Sequence, residues 1–460
     1  MPVRAPRVAV VGAGISGLAA AHRLRALLGP DARITVLEQR DRTGGVLRTV
    51  DLAGMPYDVG AEAFLARRPE VPGLLGELGL ADAQVHPTPA APSVRAAGRT
   101  VPLPGGTLLG VPTHRSRLDG LLSSAGVAAV TAEPDRPLRW DAGADVALGG
   151  LLRARFGDEL ADRLADPLLG GVYAGRVDAL GLRATVPALA AALDAGARSL
   201  TAAADAATPV PTGEPGPVFG ALRGGYRVLL DALAGAAVAE LRLGVTVREL
   251  ARLSHGWRLT LGPATASEPL DVDAVLLAVP APATARLLTG VAGGPAAAAA
   301  EIELASSVVV ALAYRAADAA TLPPTSGALI ATGEPFGVKG VTHSSTKWAH
   351  LGADGLVRLR ASLGRFGEAA TLQVDDAELV DRVRADLGTL TGITADPVAV
   401  RVQRWGGGLP QYAPGHLDRV DRIERGLPAG LAVAGAALHG VGVPACIGTA
   451  RAAAERLAGQ

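Results

Sequence analysis

The chain reads as an α/β protein whose Rossmann-type dinucleotide-binding domain is built from discontinuous segments. Two observations predict this. A strand, a glycine fingerprint, a helix and a second strand ending in an acidic residue occupy positions 7–38, and a strand, a glycine-rich turn and a helix start recur at 431–447. Between them, strand-like and helix-like stretches alternate without an internal repeat.

Val8 to Val11 form an apolar run suited to a buried parallel strand. Gly12, Gly14 and Gly17 follow at G-x-G-x-x-G spacing, with Ala13, Ile15 and Ser16 between them. Gly12 allows the tight turn, Gly14 lets backbone approach a pyrophosphate, and Gly17 lets the helix lie close to the strand. The helix starting near Ile15 aims its N-terminal amides and positive dipole end at that phosphate. Ile34 to Leu37 give the second strand, and Glu38 and Gln39 stand at its tip. An acid about 20 positions past the fingerprint is placed to accept from an adenosine ribose.

A second glycine pair, Gly44 and Gly45, comes soon after, preceded by Arg42. This arrangement resembles the R-x-G-G element of large FAD-containing oxidases and desaturases, and it implies FAD rather than a nicotinamide. The FAD is expected to be non-covalent. The single Cys446 lies in a glycine-rich turn, and no histidine sits in an attachment motif.

Composition narrows the class. A chain of 460 residues divides into about two or three domains. Its 44 basic and 44 acidic residues balance, which gives no electrostatic case for nucleic acid as partner. Nearly all the cations are arginine; only Lys339 and Lys347 are lysines. One cysteine excludes an intramolecular disulfide and suits a reducing, cytoplasmic setting. No targeting segment is expected, because the N-terminal apolar run passes straight into the fingerprint. Leu431 to Ile447 is apolar enough to mimic a membrane span, but Gly435, His439, Gly440, Gly442 and Pro444 would break a lipid-exposed helix. Peripheral membrane contact and oligomeric state are left open. The eight histidines lack metal-ligand spacing, so no metal is expected. Nor is there a nucleophilic triad. Cys446 reads as a small buried residue rather than a reactive thiol.

Further elements follow in order. Val71 to Leu80 suggests a short helix, and Ser93 to Gly106 suggests strands and turns. Leu148, Leu151, Leu152, Phe156, Leu160, Leu164 and Leu168 recur at helical spacing within 145–169. The Ala-rich stretch from Ala184 ends in a Pro- and Gly-dense linker at Thr208 to Pro217. Arg223, Gly224 and Gly225 open another helix. Val245 to Leu250, Trp257 to Leu261 and Ala274 to Val279 are strand candidates. The strand at Leu431 to Gly435 and the turn at Gly440 to Pro444 form a second cradle, with Val443 and Ile447 at its helix.

Several segments together are more specific than the fingerprint. G-A-G-I-S-G-L (12–18), G-A-E-A-F (60–64), R-F-G-D-E (155–159), D-P-L-L-G-G-V-Y-A-G (166–175), W-G-G-G-L-P-Q-Y-A-P-G-H (405–416) and H-G-V-G-V-P-A-C-I (439–447) resemble the oxygen-dependent porphyrinogen oxidases of haem biosynthesis, over almost the whole chain. The resemblance implies a monoamine oxidase-like fold: an FAD domain at 1–66, 218–280 and 404–460, an α+β substrate domain at 67–105, 176–217 and 281–403, and a helical insertion at 106–175. It places Gly60, Ala61, Glu62, Ala63, Val247 and Trp405 at the cofactor. Val46 and Ala445 depart from the family pattern, each removing one polar contact. The implied reaction is six-electron oxidation of a porphyrinogen through FAD, with O2 as acceptor and H2O2 as product, and with no catalytic side chain. The abundance of Arg, Ala and Gly over Lys looks like the codon bias of a GC-rich genome, and for such a source the resemblance implies coproporphyrinogen III rather than protoporphyrinogen IX. A flavin amine oxidase or carotenoid desaturase, and a flavin-free binder on the same scaffold, are the alternatives. For a substrate carrying propionates, Arg68 is the first candidate anchor, followed by Arg176 and Lys347.

Overall fold

The computed structural model describes residues 5–208 and 216–459. Most of the expected Thr208–Pro217 linker therefore lies outside the described residues. The fingerprint strand Arg7–Val11 is central in a five-stranded parallel sheet. It pairs with Arg33–Leu37 on one side and Ala274–Leu277 on the other, and Glu240–Arg242 and Leu431–Val433 form the edges. Both faces of the sheet are covered, as its uninterrupted apolar strands require. Val8 and Val10 pack under helices Ile15–Leu28 and Val443–Ala458. Ala9 and Val11 face the antiparallel strands Val247–Arg252, Trp257–Leu261 and Glu268–Val272.

A second, seven-stranded sheet follows the order Ala399–Pro410, Leu304–Arg315, Leu356–Leu363, Val338–Thr342, Gly327–Ile330, Ser93–Ala96, Arg99–Pro102. All its pairings are antiparallel except that between Gly327–Ile330 and Ser93–Ala96. Alternate residues of its second strand, Leu304–Arg315, divide two cores. Val308, Val310 and Leu312 face helix Asp376–Thr391. Val309, Ala311 and Ala313 face Tyr57, Trp348 and Trp405.

The helical spacing at 145–169 resolves into helix Leu148–Phe156, a break at Gly157 (φ +88°), and a helical run from Asp158 to Tyr173 that passes through a π turn at Ala161–Ala165. The expected domain limits need three corrections from packing. Helices Leu182–Thr185, Pro187–Asp194 and Leu200–Ala207 bury Leu182, Leu189, Leu193 and Leu200 in the same core as Leu148 and Phe156, so the helical insertion continues well past 175. Helix Glu70–Glu77 buries Val71, Leu74 and Leu75 with the fingerprint helix, on the nucleotide side. Helices Ala281–Leu288 and Gly293–Ala300 also belong to the nucleotide side, under its antiparallel strands.

The two sheets meet through the hairpin Thr49–Leu52/Met55–Asp58. Arg358, fully buried on the large sheet, donates to Leu52 O (3.1 Å), Ala53 O (3.0 Å), Leu351 O (2.9 Å) and both oxygens of Asp354 (2.8 and 2.7 Å). All five of its N–H donors lie within these bonds, and they hold the Asp354 carboxyl down to about 2. Arg358→Met should cost about 3–5 kcal/mol, because the hairpin carbonyls and Asp354 lose their donor together. The check is the thermal midpoint of the purified holoenzyme. A variant melting within about 1 °C of wild type would show that the seam does not rest on this side chain.

Candidate functional site

The fingerprint opens into an elongated, partly open cleft. Gly12, Gly14, Ile15, Ser16, Glu38, Gln39, Gly45 and Val247 line it. Gly12 sits at φ +103°, and a Cβ there would stand 2.4 Å from Ala278 O. A Cβ on Gly17 would lie 1.8 Å from Gly12 O, so Gly17 works behind the cleft, where helix meets turn. Gly14 differs: a Cβ there would meet only Gly45 Cα, at 3.9 Å. The second glycine pair closes against the first through Gly44 N–H to Ala13 O (2.8 Å). Two runs of bare backbone therefore face one another beside the amino end of helix Ile15–Leu28, as an anionic pyrophosphate needs.

Glu38 is buried, and its carboxylate accepts from Ala13 N and Arg40 N, both at 2.9 Å. It thus fixes the fingerprint turn while keeping acceptor capacity for a ribose. At the far end the cleft is walled by Gly407 and Gly408, Pro410, Gly435 to Ala437 and Cys446. Gly435 and Cys446 belong to the segments expected as a second cradle, whereas Gly407, Gly408 and Pro410 were not expected at the cofactor. The Gly407–Gly408 wall follows from a β-bulge: Ala305 and Ser307 of strand Leu304–Arg315 face Leu409 and Trp405, and the extra residues bend away, with Gly407 N–H donating to Ser306 Oγ (3.0 Å). Burial pushes the Cys446 thiol up to about 11.

The structure gives other roles to several residues expected at the cofactor. Arg42 turns inward and donates to Thr43 O and Gly45 O (both 2.9 Å), bracing the second glycine pair from behind. Trp405 donates its indole N–H to Val59 O (2.9 Å) and packs with Tyr57 and Trp348, off the cleft. Val443 and Ile447 are buried in the core beneath the fingerprint helix. Gly60 is a close-approach position, since a Cβ would lie 2.1 Å from O of cleft-lining Val46. Ala61 is exposed, and Ala63 packs in the core shared by Tyr57 and Trp348.

Glu62 faces the large sheet instead. Its side chain is 14 % exposed and pairs with Lys347 Nζ (3.3 Å) and Arg360 (3.6 Å), and it accepts from the indole N–H of Trp348. Burial would push its carboxyl up, but Lys347 and Arg360 outweigh that and hold it below the usual range. Arg360 also donates to Gly60 O (2.9 Å), which ties this charge cluster to the cleft wall. Farther along the same sheet end, buried Arg365 lies 3.4 Å from Asp166, and Arg176 pairs with Glu368 (2.7 Å) and stands 4.0 Å from Asp166. Lys347, Arg360, Arg365 and Arg176 thus form a basic arc. Arg360 and Arg365 were not anticipated from the sequence, because neither sits in a recognisable motif. Arg68 is absent from the arc: it is half-exposed and closes on Glu70 at the start of the next helix.

Glycine backbone walls, a buried acid at the strand tip and a helix amino end facing the same cleft define a dinucleotide-dependent oxidoreductase. Residues 15–458 match the flavin-containing amine oxidoreductases, and the chain belongs to that family. Its cofactor is FAD. A coproporphyrinogen III oxidase of Mycobacterium tuberculosis is 48 % identical over 441 residues, covering 96 % of this chain and 95 % of that one. The crystal structure of a protein assigned as a protoporphyrinogen oxidase, from Exiguobacterium sp. 255-15, superposes with a TM-score of 0.84 at 29 % identity, covering 98 % of each chain. Cyclohexylamine oxidase from Brevibacterium oxydans shares the fold, with a TM-score of 0.73 at 16 % identity over 99 % of both chains.

The glycine geometry separates two effects. Gly14→Ala should leave the melting temperature of the apoprotein within about 2 °C of wild type yet lower FAD retention at least roughly tenfold, because its Cβ enters only the cleft. Gly17→Ala should lower both, because its Cβ meets backbone. Flavin absorbance of the purified variants and apoprotein melting curves read the two effects. Full FAD occupancy in Gly14→Ala would displace the pyrophosphate from this turn.

Proposed function

We propose that this enzyme oxidises coproporphyrinogen III to coproporphyrin III in haem biosynthesis, with O2 as acceptor and H2O2 as product. The observation that carries the reading is the basic arc beside the cleft. An amine oxidase must admit an ammonium group, and here Lys347, Arg360, Arg365 and Arg176 outnumber the Glu62, Asp166 and Glu368 carboxylates paired with them, which disfavours one. The same arc attracts carboxylates, and guanidinium groups bind them in bidentate fashion. A substrate with four propionates uses more of the arc than a dicarboxylate does, which favours coproporphyrinogen over protoporphyrinogen. The 48 % identity to the mycobacterial coproporphyrinogen III oxidase supports the same choice.

FAD, when bound, supplies the hydride acceptor, so the chain's own residues need only bind, orient and shield. Glu62 keeps Lys347 and Arg360 in place while no substrate is present. Trp348, Trp405 and Tyr57 form the apolar layer behind them. Ala61 and Ala63 flank Glu62 at the same wall. No helix of the described residues is long and apolar enough to cross a membrane. A cytoplasmic setting is consistent with the single, buried Cys446.

Steady-state assays should give a higher kcat/KM for coproporphyrinogen III than for protoporphyrinogen IX, and about three H2O2 per porphyrin. Lys347→Met should raise KM for coproporphyrinogen III roughly tenfold through loss of a charge-assisted contact. Arg68→Ala should change it less than about twofold, as for a surface ion pair. Preference for protoporphyrinogen IX, or undiminished porphyrin formation without oxygen, would overturn the assignment.

A further inference from the structure

Lys339 is one of only two lysines among 44 basic residues, and both fall between positions 338 and 347. It is the extra residue of a β-bulge. Val338 pairs with Leu363 and Gly340 with Ser362, so nothing on the neighbouring strand opposes Lys339. Bulges re-aim a side chain, and they gather beside active sites. This one sends the ammonium toward Gly364, whose carbonyl accepts from Nζ at 2.8 Å.

Among the described residues that is the ammonium's one hydrogen bond, which leaves two N–H donors for other partners. The charged groups that face it are Arg365, Glu368 and Arg360. Each other cation of the arc has a carboxylate: Lys347 and Arg360 share Glu62, Arg365 has Asp166, and Arg176 has Glu368. Among the described residues no carboxylate stands within ion-pair distance of Lys339. A half-buried ammonium beside two guanidinium groups, with no acid of its own, is an electrostatic vacancy for an anion. Burial, with Arg365 and Arg360 as like charges, lowers its pKa to about 8.

Resting on the porphyrinogen reading, we propose that Lys339 is a substrate-positioning residue that receives one propionate at the end of the arc remote from Lys347, and so sets which edge of the tetrapyrrole is presented to the cofactor. An anchor at each end fixes the orientation of a carboxylate-rimmed macrocycle, which neither achieves alone.

The test uses FAD-loaded enzyme, titrated with coproporphyrin III and with its tetramethyl ester, alongside steady-state oxidation of coproporphyrinogen III. Lys339→Met should weaken coproporphyrin III binding and raise KM by about tenfold, with a much smaller change in kcat. Ester binding and flavin content should stay at wild-type values, and Lys339→Arg should recover most of the loss. Wild-type KM should rise as pH passes about 8, where the ammonium loses its proton. In Lys339→Met that rise should vanish, and in Lys339→Arg it should move above the accessible range. Wild-type activity combined with unchanged binding and KM in Lys339→Met overturns the anchor but not the function. So does equal loss of acid and ester. Wild-type enzyme that neither binds coproporphyrin III nor oxidises coproporphyrinogen III overturns both.

Discussion

The site depends on how tightly the stretch 46–63 is pressed between the glycine-lined cleft and the large sheet. Gly60 lies so close to Val46 that a single methyl group would stand 2.1 Å from its carbonyl oxygen. Three side chains of the sheet fix this layer from the other side. Arg358 holds the hairpin, Arg360 holds Gly60, and Trp405 holds Val59. All these bonds run from a side-chain N–H to a backbone carbonyl, so they hold the main chain whatever side chains lie along it. The cofactor wall and the substrate wall are consequently two faces of one thin layer. A displacement on one side is transmitted to the other, because close-packed protein does not deform gradually.

Charge on the substrate face is arranged on a similar principle. Cations gathered at one sheet end cannot be left to repel one another in a half-dry setting. Glu62 lies between Lys347 and Arg360, and Asp166 lies between Arg365 and Arg176. Asp166 is itself buried and accepts from Val177 N (2.8 Å) and Thr332 Oγ1, which fixes the residues around it. These acids are internal counter-ions. They keep the arc assembled without saturating it, since each guanidinium retains donors that a carboxylate ligand can use.

The nucleotide half of this arrangement was legible in the sequence because its chemistry is local. Arg7 to Gly45 carries strand, turn, helix and acid in one stretch, and the elements lie where spacing put them. The strand at Trp257–Leu261 and the helix after Gly442 were also plain. The substrate half was not. Its arc comes from four separate segments, and a lone arginine in a chain this rich in arginine carries no signal of its own. Trp405 was rightly singled out by motif yet misread in role. Its indole holds the seam, while the glycines beside it, freed by a bulge, form the cleft. Arg68 looked favourable by proximity in sequence to Gly60, but sequence could not show that Glu70 takes its guanidinium. The domain limits failed where helices such as Leu200–Ala207 chose their core by tertiary contact rather than by position.

The five-stranded sheet has a consequence for how the protein is made. Its strands begin at residues 7, 33, 240, 274 and 431, and the last lies against the fourth. A chain emerging from the ribosome at roughly 5–20 residues per second holds its fingerprint ready within seconds, but waits for almost the whole sequence before the edge strand and the helix Val443–Ala458 can cover Val8 and Val10. During that interval the apolar face of the first βαβ turn is exposed, with the helical insertion free to condense on its own core. Cofactor capture is therefore a terminal event of biogenesis. Flavin can be sealed in only after the final segment docks, so a prematurely ended chain is left without a finished cradle.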